Sequence, residues 1–418
     1  MKSVIPFAAA VIFAAGLDAA TPPKCDADNG GLTLPSGFCA LVVADGVGVA
    51  RHFVVAPNGD VYVAILGNNP GGVVALRDTN GDGRFEQKEH IGQGSTTGIA
   101  LRHGYLYVAH PNSVERYKLT AGQLVPSGAP ETVVMGIAGE RQHGDKGLTF
   151  DDKGSLYVNV GAPSNACQSP DRQPKVAGQD PCQLLEKHGG VWKFDENKLG
   201  QTQDSGTRFA TGLRQFPAIA WHDNALYIVM NNRDALDIFW PGMFTAKENA
   251  ERPAEPMYRA TQGANFGWPY CFFDYGQQKL LLNPEYGGDG KTEGRCTQFT
   301  KPIASFPAHW APVDLMFYSG NQFPAKYKGG AFIAFHGSWN RAPMPMDGYN
   351  VTFQPFQGEN PSGKFEIFAN NFAGKPQIMA PTDAMYRADG VAQGPDGSLY
   401  IADSQKGRVW RVIYQGAK

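Results

Sequence analysis

Residues 147–160 read GLTFDDKGSLYVNV. Apolar and polar residues alternate in GLTF and again in SLYVNV, and the polar corner DDKG separates the two runs, so the stretch reads as two strands across a tight turn. The same hairpin returns as FVVAPNGDVYVA (53–64), GIALRHGYLYVA (98–109), PAIAWHDNALYIV (217–229) and GVAQGPDGSLYIA (390–402), with a looser copy over 313–335 whose turn carries extra residues. The six copies are anchored at Tyr62, Tyr107, Tyr157, Tyr227, Phe332 and Tyr400, and several are followed by a third strand, as in GVVALRD (72–78) and GVWKFDE (190–196). Antiparallel units of three or four strands, repeated 45 to 105 residues apart, predict an all-β, six-bladed β-propeller with insertions of unequal length. A β-sandwich with fortuitous internal similarity is the alternative.

Composition agrees with many short strands. Of 418 residues, 51 are Gly and 30 are Pro, while aromatic residues make up 11% and charged ones only 18%. With a formal charge of −2 and no basic run, nothing in the sequence points to a nucleic-acid surface. The first 20 residues carry one Lys, an apolar run too short to cross a bilayer, and small residues at Ala19 and Ala20, the pattern of a secretory signal. The expectation is a signal at 1–20, a single propeller domain over 21–418, no membrane span, and a secreted or periplasmic location. Six cysteines follow the signal, none in CxxC or CxxCH spacing, so neither a thiolate zinc site nor covalently attached haem is encoded. Short loops close most easily, which makes Cys25–Cys39, Cys167–Cys182 and Cys271–Cys296 the expected disulfides among 15 possible pairings.

A propeller gathers distant positions. In each blade the innermost strand lines the central channel and the next strand runs back, so residues before the first and after the second emerge at one channel mouth. Before the inner strands stand Arg51 and His52, Thr96 and Thr97, His143, Arg214 and Gln215, His309, and Arg387 with Asp389. After the returning strands stand Asn159, NNRDALD (231–237) and HGSWNR (336–341). Arg214, Arg233, Arg341 and Arg387 in one cup would suit a planar, multiply anionic ligand, because each guanidinium offers carboxylates a flat fork or presents a face for stacking. A histidine among such cations stays neutral and can accept a proton. Any one of these arginines could equally make a loop salt bridge; convergence is what would distinguish a site.

The segments QHGDKGLTF (142–150), ATGLRQFPAIAW (210–221), NNRDAL (231–236), ANFGWPYC (264–271), YKGGAFIAFHGSWNR (327–341) and GVAQGPDGSLYIADSQKGRVWRV (390–412) resemble the secreted propellers of the sorbosone dehydrogenase and soluble glucose dehydrogenase group, which includes fungal pyranose dehydrogenase domains. The resemblance implies an enzyme that uses pyrroloquinoline quinone (PQQ) to oxidise a small-molecule sugar and passes electrons to an external acceptor such as a cytochrome, quinone or dye. It implies that His143 is the base taking the hydroxyl proton, that Arg214 and Gln215 match an Arg-Asn pair near the quinone, and that Arg387 matches an arginine on the cofactor carboxylates. It implies also that backbone carbonyls of the loop containing Arg233 and Asp234 hold calcium against the quinone. His336, Asn340 and Arg341 stand in the region where the group places a Lys on the cofactor, and Gln142 stands where its glucose dehydrogenases carry an Asp.

A separate metal signal is DTNGDGRFEQKE (78–89). Asp78, Asn80 and Asp82 fall at positions 1, 3 and 5 of an EF-hand-type loop, Gly83 at the sharp turn, the Arg84 carbonyl at 7 and Glu89 at 12, which reads as a structural calcium site. The alternative is an acidic turn between blades 1 and 2. Trp268 and Tyr270 form either an aromatic wall for a sugar or plain core, and His188 reads as a surface histidine. Two other functions remain open: a calcium-dependent sugar lactonase, which would need carboxylate and Asn ligands in the channel, and a non-enzymatic carbohydrate-binding propeller with a degraded site.

Overall fold

The computed structural model describes residues 23–416, and the expected signal at 1–20 lies outside them. Six antiparallel sheets of four strands, two of them extended by a short fifth strand, stand around a central axis. The inner strands are Ala50–Val55, Ile99–Arg102, Leu148–Phe150, Gln215–His222, Pro312–Phe317 and Ala388–Gln393. Each neighbours the inner strand of the next blade, and the sixth returns to the first.

The second strand of a blade is buried on both faces, as in Val61–Ile65 and Leu399–Asp403. Strand periodicity divides its side chains between two neighbours: Val61, Val63 and Ile65 pack towards blade 6, whereas Tyr62 and Ala64 pack towards blade 2. One apolar cluster of this kind fills each of the six blade interfaces. The repeated aromatic residue joins consecutive blades. Tyr107 meets Phe150 at 4.8 Å, Tyr157 stacks on Trp221 at 5.2 Å, and Tyr227 meets Phe317 at 4.8 Å, each pair adding about 0.5–1.5 kcal/mol beyond its buried area.

The ring is closed by a strand that is not part of any hairpin copy. Phe38–Ala44 pairs antiparallel with Val409–Tyr414 as the outer strand of blade 6, so both ends of the described chain meet in one sheet. All three expected disulfides form. Cys167–Cys182 staples the insertion within blade 3, and Cys271–Cys296 ties the hairpin Cys271–Asp274/Lys279–Leu282 inserted in blade 4. No helix among the described residues is long and apolar enough to cross a membrane.

Four inner strands break register at the same end: between Ala50 and Phe53, Gln215 and Ala218, Pro312 and Asp314, and Ala388 and Gly390. Such bulges re-aim side chains where a sheet ends. At this end Arg51, Gln215 and Val313 turn to a common space.

Candidate active site

That space is a cavity of about 580 Å³ at the channel mouth, within the range of small-molecule sites. His143, Arg214, Gln215, Asp234, His336 and Asn340 line it, together with Arg51, Arg141, Arg172, Glu255 and Trp339. Residues far apart in the chain thus share one cup because most of them stand at the mouth-side ends of inner or returning strands.

His143 sits in left-handed backbone at φ 58°. Its Nδ1–H donates to the Ala162 carbonyl at 2.5 Å, the one hydrogen bond of the ring among the described residues, and Nε2 is left without a partner. Burial, reinforced by the Arg214 charge, drives its pKa down to about 3. The imidazole is therefore neutral with its acceptor nitrogen free. Asn159 steadies the preceding loop, accepting from Gly147 N–H and donating to the Asp145 carbonyl at 3.1 Å. A Cβ at Gly161 would lie 2.7 Å from Gln215 Oε1 and 2.4 Å from the His143 carbonyl, so only glycine lets these three pack together.

Asp234 is the ionic centre of one wall. Its carboxylate accepts from Arg214 Nη2 at 2.5 Å, Arg172 Nη2 at 2.9 Å and Asn340 Nδ2 at 2.9 Å. Burial pushes this carboxyl up, but the Arg214 and Arg172 charges outweigh it and hold the group below the usual carboxylate range. Glu255 lies behind, accepting from the Asn232 N–H at 2.8 Å, and burial pushes it up to about 8. On the opposite wall, Arg51 pairs with Asp389 at 2.6 Å, and His336 Nε2 lies 2.8 Å from Ser404 Oγ and 3.3 Å from the Asp389 carboxylate. Burial, with the Arg387 and Arg51 charges, holds His336 well below its ordinary pKa.

Three of the four arginines expected in the cup do not line it. Arg233 is turned into the protein, where its guanidinium pairs with Glu285 at 2.6 Å and Asn283 at 2.9 Å. Its neighbour Asp234 takes the cavity position instead. Arg341 donates to the Ala250 and Pro345 carbonyls and clamps two loops. Arg387 donates to the His336 and Gly337 carbonyls and lies 4.8 Å from the Trp339 ring, supporting the wall from behind. In their place stand Arg51, Arg141 and Arg172. Arg172 comes from the stapled insertion of blade 3, which carries no repeat signal.

The aromatic segment is core: Trp268 is buried beside Cys167 and Cys182, donating to the Asn165 carbonyl at 2.9 Å. Trp339, 60% exposed, is the aromatic face at the cavity. His188 is buried, with Nε2 2.7 Å from Glu140.

The outer acidic loop differs from the EF-hand reading at its end. Asp78, Asp82 and Glu86 bring carboxylate oxygens within 4.8 Å of one another, and Asn80 donates to Glu86 at 3.0 Å. Glu89 is removed from this group because it is already paired with Ala75 in the outer strand Gln87–Ile91. Arg84 uses its side chain on Asp26 at 2.6 Å.

Four buried side-chain atoms of cavity residues lack a partner: Arg51 Nε, Gln142 Nε2, Arg214 Nε and Gln215 Oε1. Buried polar groups are rarely left unpaired, and three donors with one acceptor fit an oxygen-rich, anionic ligand such as PQQ. In the cavity loop the Asn232 carbonyl accepts from Arg214 at 2.9 Å and the Asp234 carbonyl from Asn165 at 3.1 Å, which leaves each one lone pair for a cation.

Known proteins share this architecture. The chain superposes on the holo PQQ domain of pyranose dehydrogenase from Coprinopsis cinerea with a TM-score of 0.72 at 19% identity, covering 95% of this chain and 99% of that one. A calcium structure of Trichoderma reesei carbohydrate-active enzymes family AA12 gives a TM-score of 0.75 at 19% identity, covering 92% and 97%. In sequence, it is 30% identical over 123 residues to the pyrroloquinoline quinone-dependent pyranose dehydrogenase of Coprinopsis cinerea, 26% of this chain and 16% of that protein. The chain spans from 16% to 62% of the length of the curated relatives it matches. The TrAA12-like family profile matches residues 32–415, and the chain belongs to that family.

Proposed function

We propose that this protein is an exported PQQ-dependent sugar dehydrogenase. The observation that carries the reading is the neutral His143, with Nε2 free, in a cavity whose buried Arg and Gln atoms lack partners. PQQ, when bound, would accept the hydride released from the sugar carbon. His143 Nε2 takes the hydroxyl proton of the same carbon, and the Nδ1–H bond to Ala162 fixes the ring so that this nitrogen stays an acceptor. Arg214 and Gln215 orient the carboxylates and carbonyls of the planar ligand, and Asp234 holds Arg214 in place. Trp339 offers the sugar a stacking face. Electrons leave to a separate acceptor.

Calcium in this reading belongs to the outer loop of Asp78, Asp82 and Glu86, as a structural ion. Export is supported by three disulfides, which persist in oxidising compartments. A calcium lactonase is disfavoured because Asp234 is already neutralised by two guanidinium groups.

The test is titration of the purified apo-protein with PQQ, followed by dye reduction across a sugar panel. A shift in quinone absorbance with sugar-dependent reduction supports the proposal. Absence of any shift at micromolar cofactor rules it out.

A further inference from the structure

Among the guanidinium groups that line the cavity, three are already engaged by carboxylates: Arg51 by Asp389, and Arg172 and Arg214 by Asp234. Arg141 is different. It lines the same cavity, is exposed, and has no ion pair or hydrogen bond among the described residues. It stands two residues before His143, and between them Gln142 holds a buried Nε2 with no partner. Consecutive residues next to the proton acceptor thus carry unpaired donors, Arg141 exposed and Gln142 Nε2 buried beneath the cavity wall.

The backbone of the loop presenting them is closely packed. A Cβ at Gly139 would lie 2.0 Å from the Pro111 carbonyl, and one at Gly144 2.3 Å from the Glu140 carbonyl. Glu140 is itself held by His188 at 2.7 Å. An unpartnered guanidinium matches a singly charged, planar carboxylate, which takes two parallel N–H bonds. A phosphate would call for more positive charge than one free arginine supplies.

From this we infer that the preferred substrates are acidic sugars, hexuronates whose carboxylate is held by Arg141 while a ring hydroxyl faces His143. The inference rests on the PQQ-dependent reading. PQQ, when bound, would take the hydride from the carbon bearing that hydroxyl while His143 Nε2 takes the hydroxyl proton, leaving a carbonyl or lactone with the carboxylate unchanged.

The experiment compares galacturonate, galactose and galactose 6-phosphate as substrates of the PQQ-loaded protein, with Arg141→Gln and Arg141→Lys variants. The expected result is kcat/KM for galacturonate about tenfold or more above galactose, a preference that falls by a similar factor in Arg141→Gln through KM rather than kcat, and partial recovery in Arg141→Lys. Equal or better turnover of galactose or its phosphate overturns the inference. So does an Arg141→Gln variant that loses PQQ affinity with its substrate ratio unchanged, since Arg141 would then serve the cofactor. If the protein takes up no PQQ, calorimetric binding of galacturonate to the apo-protein decides separately: weaker binding in Arg141→Gln upholds the carboxylate site, and no binding to the unsubstituted protein overturns it.

Discussion

The two walls of the cavity are built from the same residue types and behave differently. On the wall of blades 3 and 4, Asp234 receives two guanidinium groups and an amide, and despite burial its carboxyl is held below the usual range. On the wall of blades 5, 6 and 1, Asp389 has Arg51 at 2.6 Å, yet burial prevails and its carboxyl is pushed up. The histidines differ in the same sense. His143 spends its Nδ1–H on a backbone carbonyl and keeps Nε2 free, whereas His336 directs Nε2 at Ser404 and Asp389. At Asp389 the Arg51 charge does not overcome desolvation, whereas two guanidinium groups at Asp234 do, and an imidazole's role is set by which nitrogen the protein occupies.

The largest expected effect separates the histidines. His143→Gln lowers kcat by about 10²–10⁴ while leaving the PQQ absorbance shift intact, and His336→Gln falls well short of that loss; equal losses in steady-state assays would erase the distinction between the walls. Next come the carboxylates. Asp234→Asn, which leaves two guanidinium groups without their anion, destabilises by about 3 kcal/mol in denaturant unfolding, and Asp389→Asn costs less because its native charge is already disfavoured.

The pH dependence follows from the groups nearest Asp234. His143 titrates at about 3 in the fold against 6.5 ordinarily, so the unfolded chain binds more protons between those values and stability falls as pH drops through that window. Activity therefore shows no acidic limb near 6.5 from this residue. Glu255 works in the other direction. Raised from 4.5 to about 8, it stabilises the fold at low pH, and that contribution is lost as pH rises from 4.5 to about 8; Glu255→Gln removes this slope from the unfolding curve. The smallest effect lies outside the cavity. Calcium raises the melting temperature by a few degrees, Glu86→Gln abolishes the rise, and Glu89→Gln does not.

The architecture was legible because each blade buries its second strand on both faces, which repeats an aromatic-anchored hairpin six times. The closing strand Phe38–Ala44 was hidden, since it has no turn partner in sequence and is recruited by an edge formed at the other end of the chain. His143, Arg214 and Gln215 were legible from their offset before an inner strand. The inward turn of Arg233 is not legible in the sequence because Ala235 lies in left-handed backbone at φ 55°, so no strand period extends through NNRDAL. Arg172 could not be placed without the path of the stapled insertion. The separation of Glu89 from the acidic group is not legible in the loop spacing because its backbone pairs with Ala75 in the outer strand of blade 1.

The most direct test is a crystal structure of the protein soaked with PQQ. The expected result is the cofactor in the cup, bonded to Arg214 and Gln215, with His143 Nε2 facing the substrate side of the ring. A quinone bound elsewhere, or a cup with His143 Nε2 turned onto a protein partner, would contradict it.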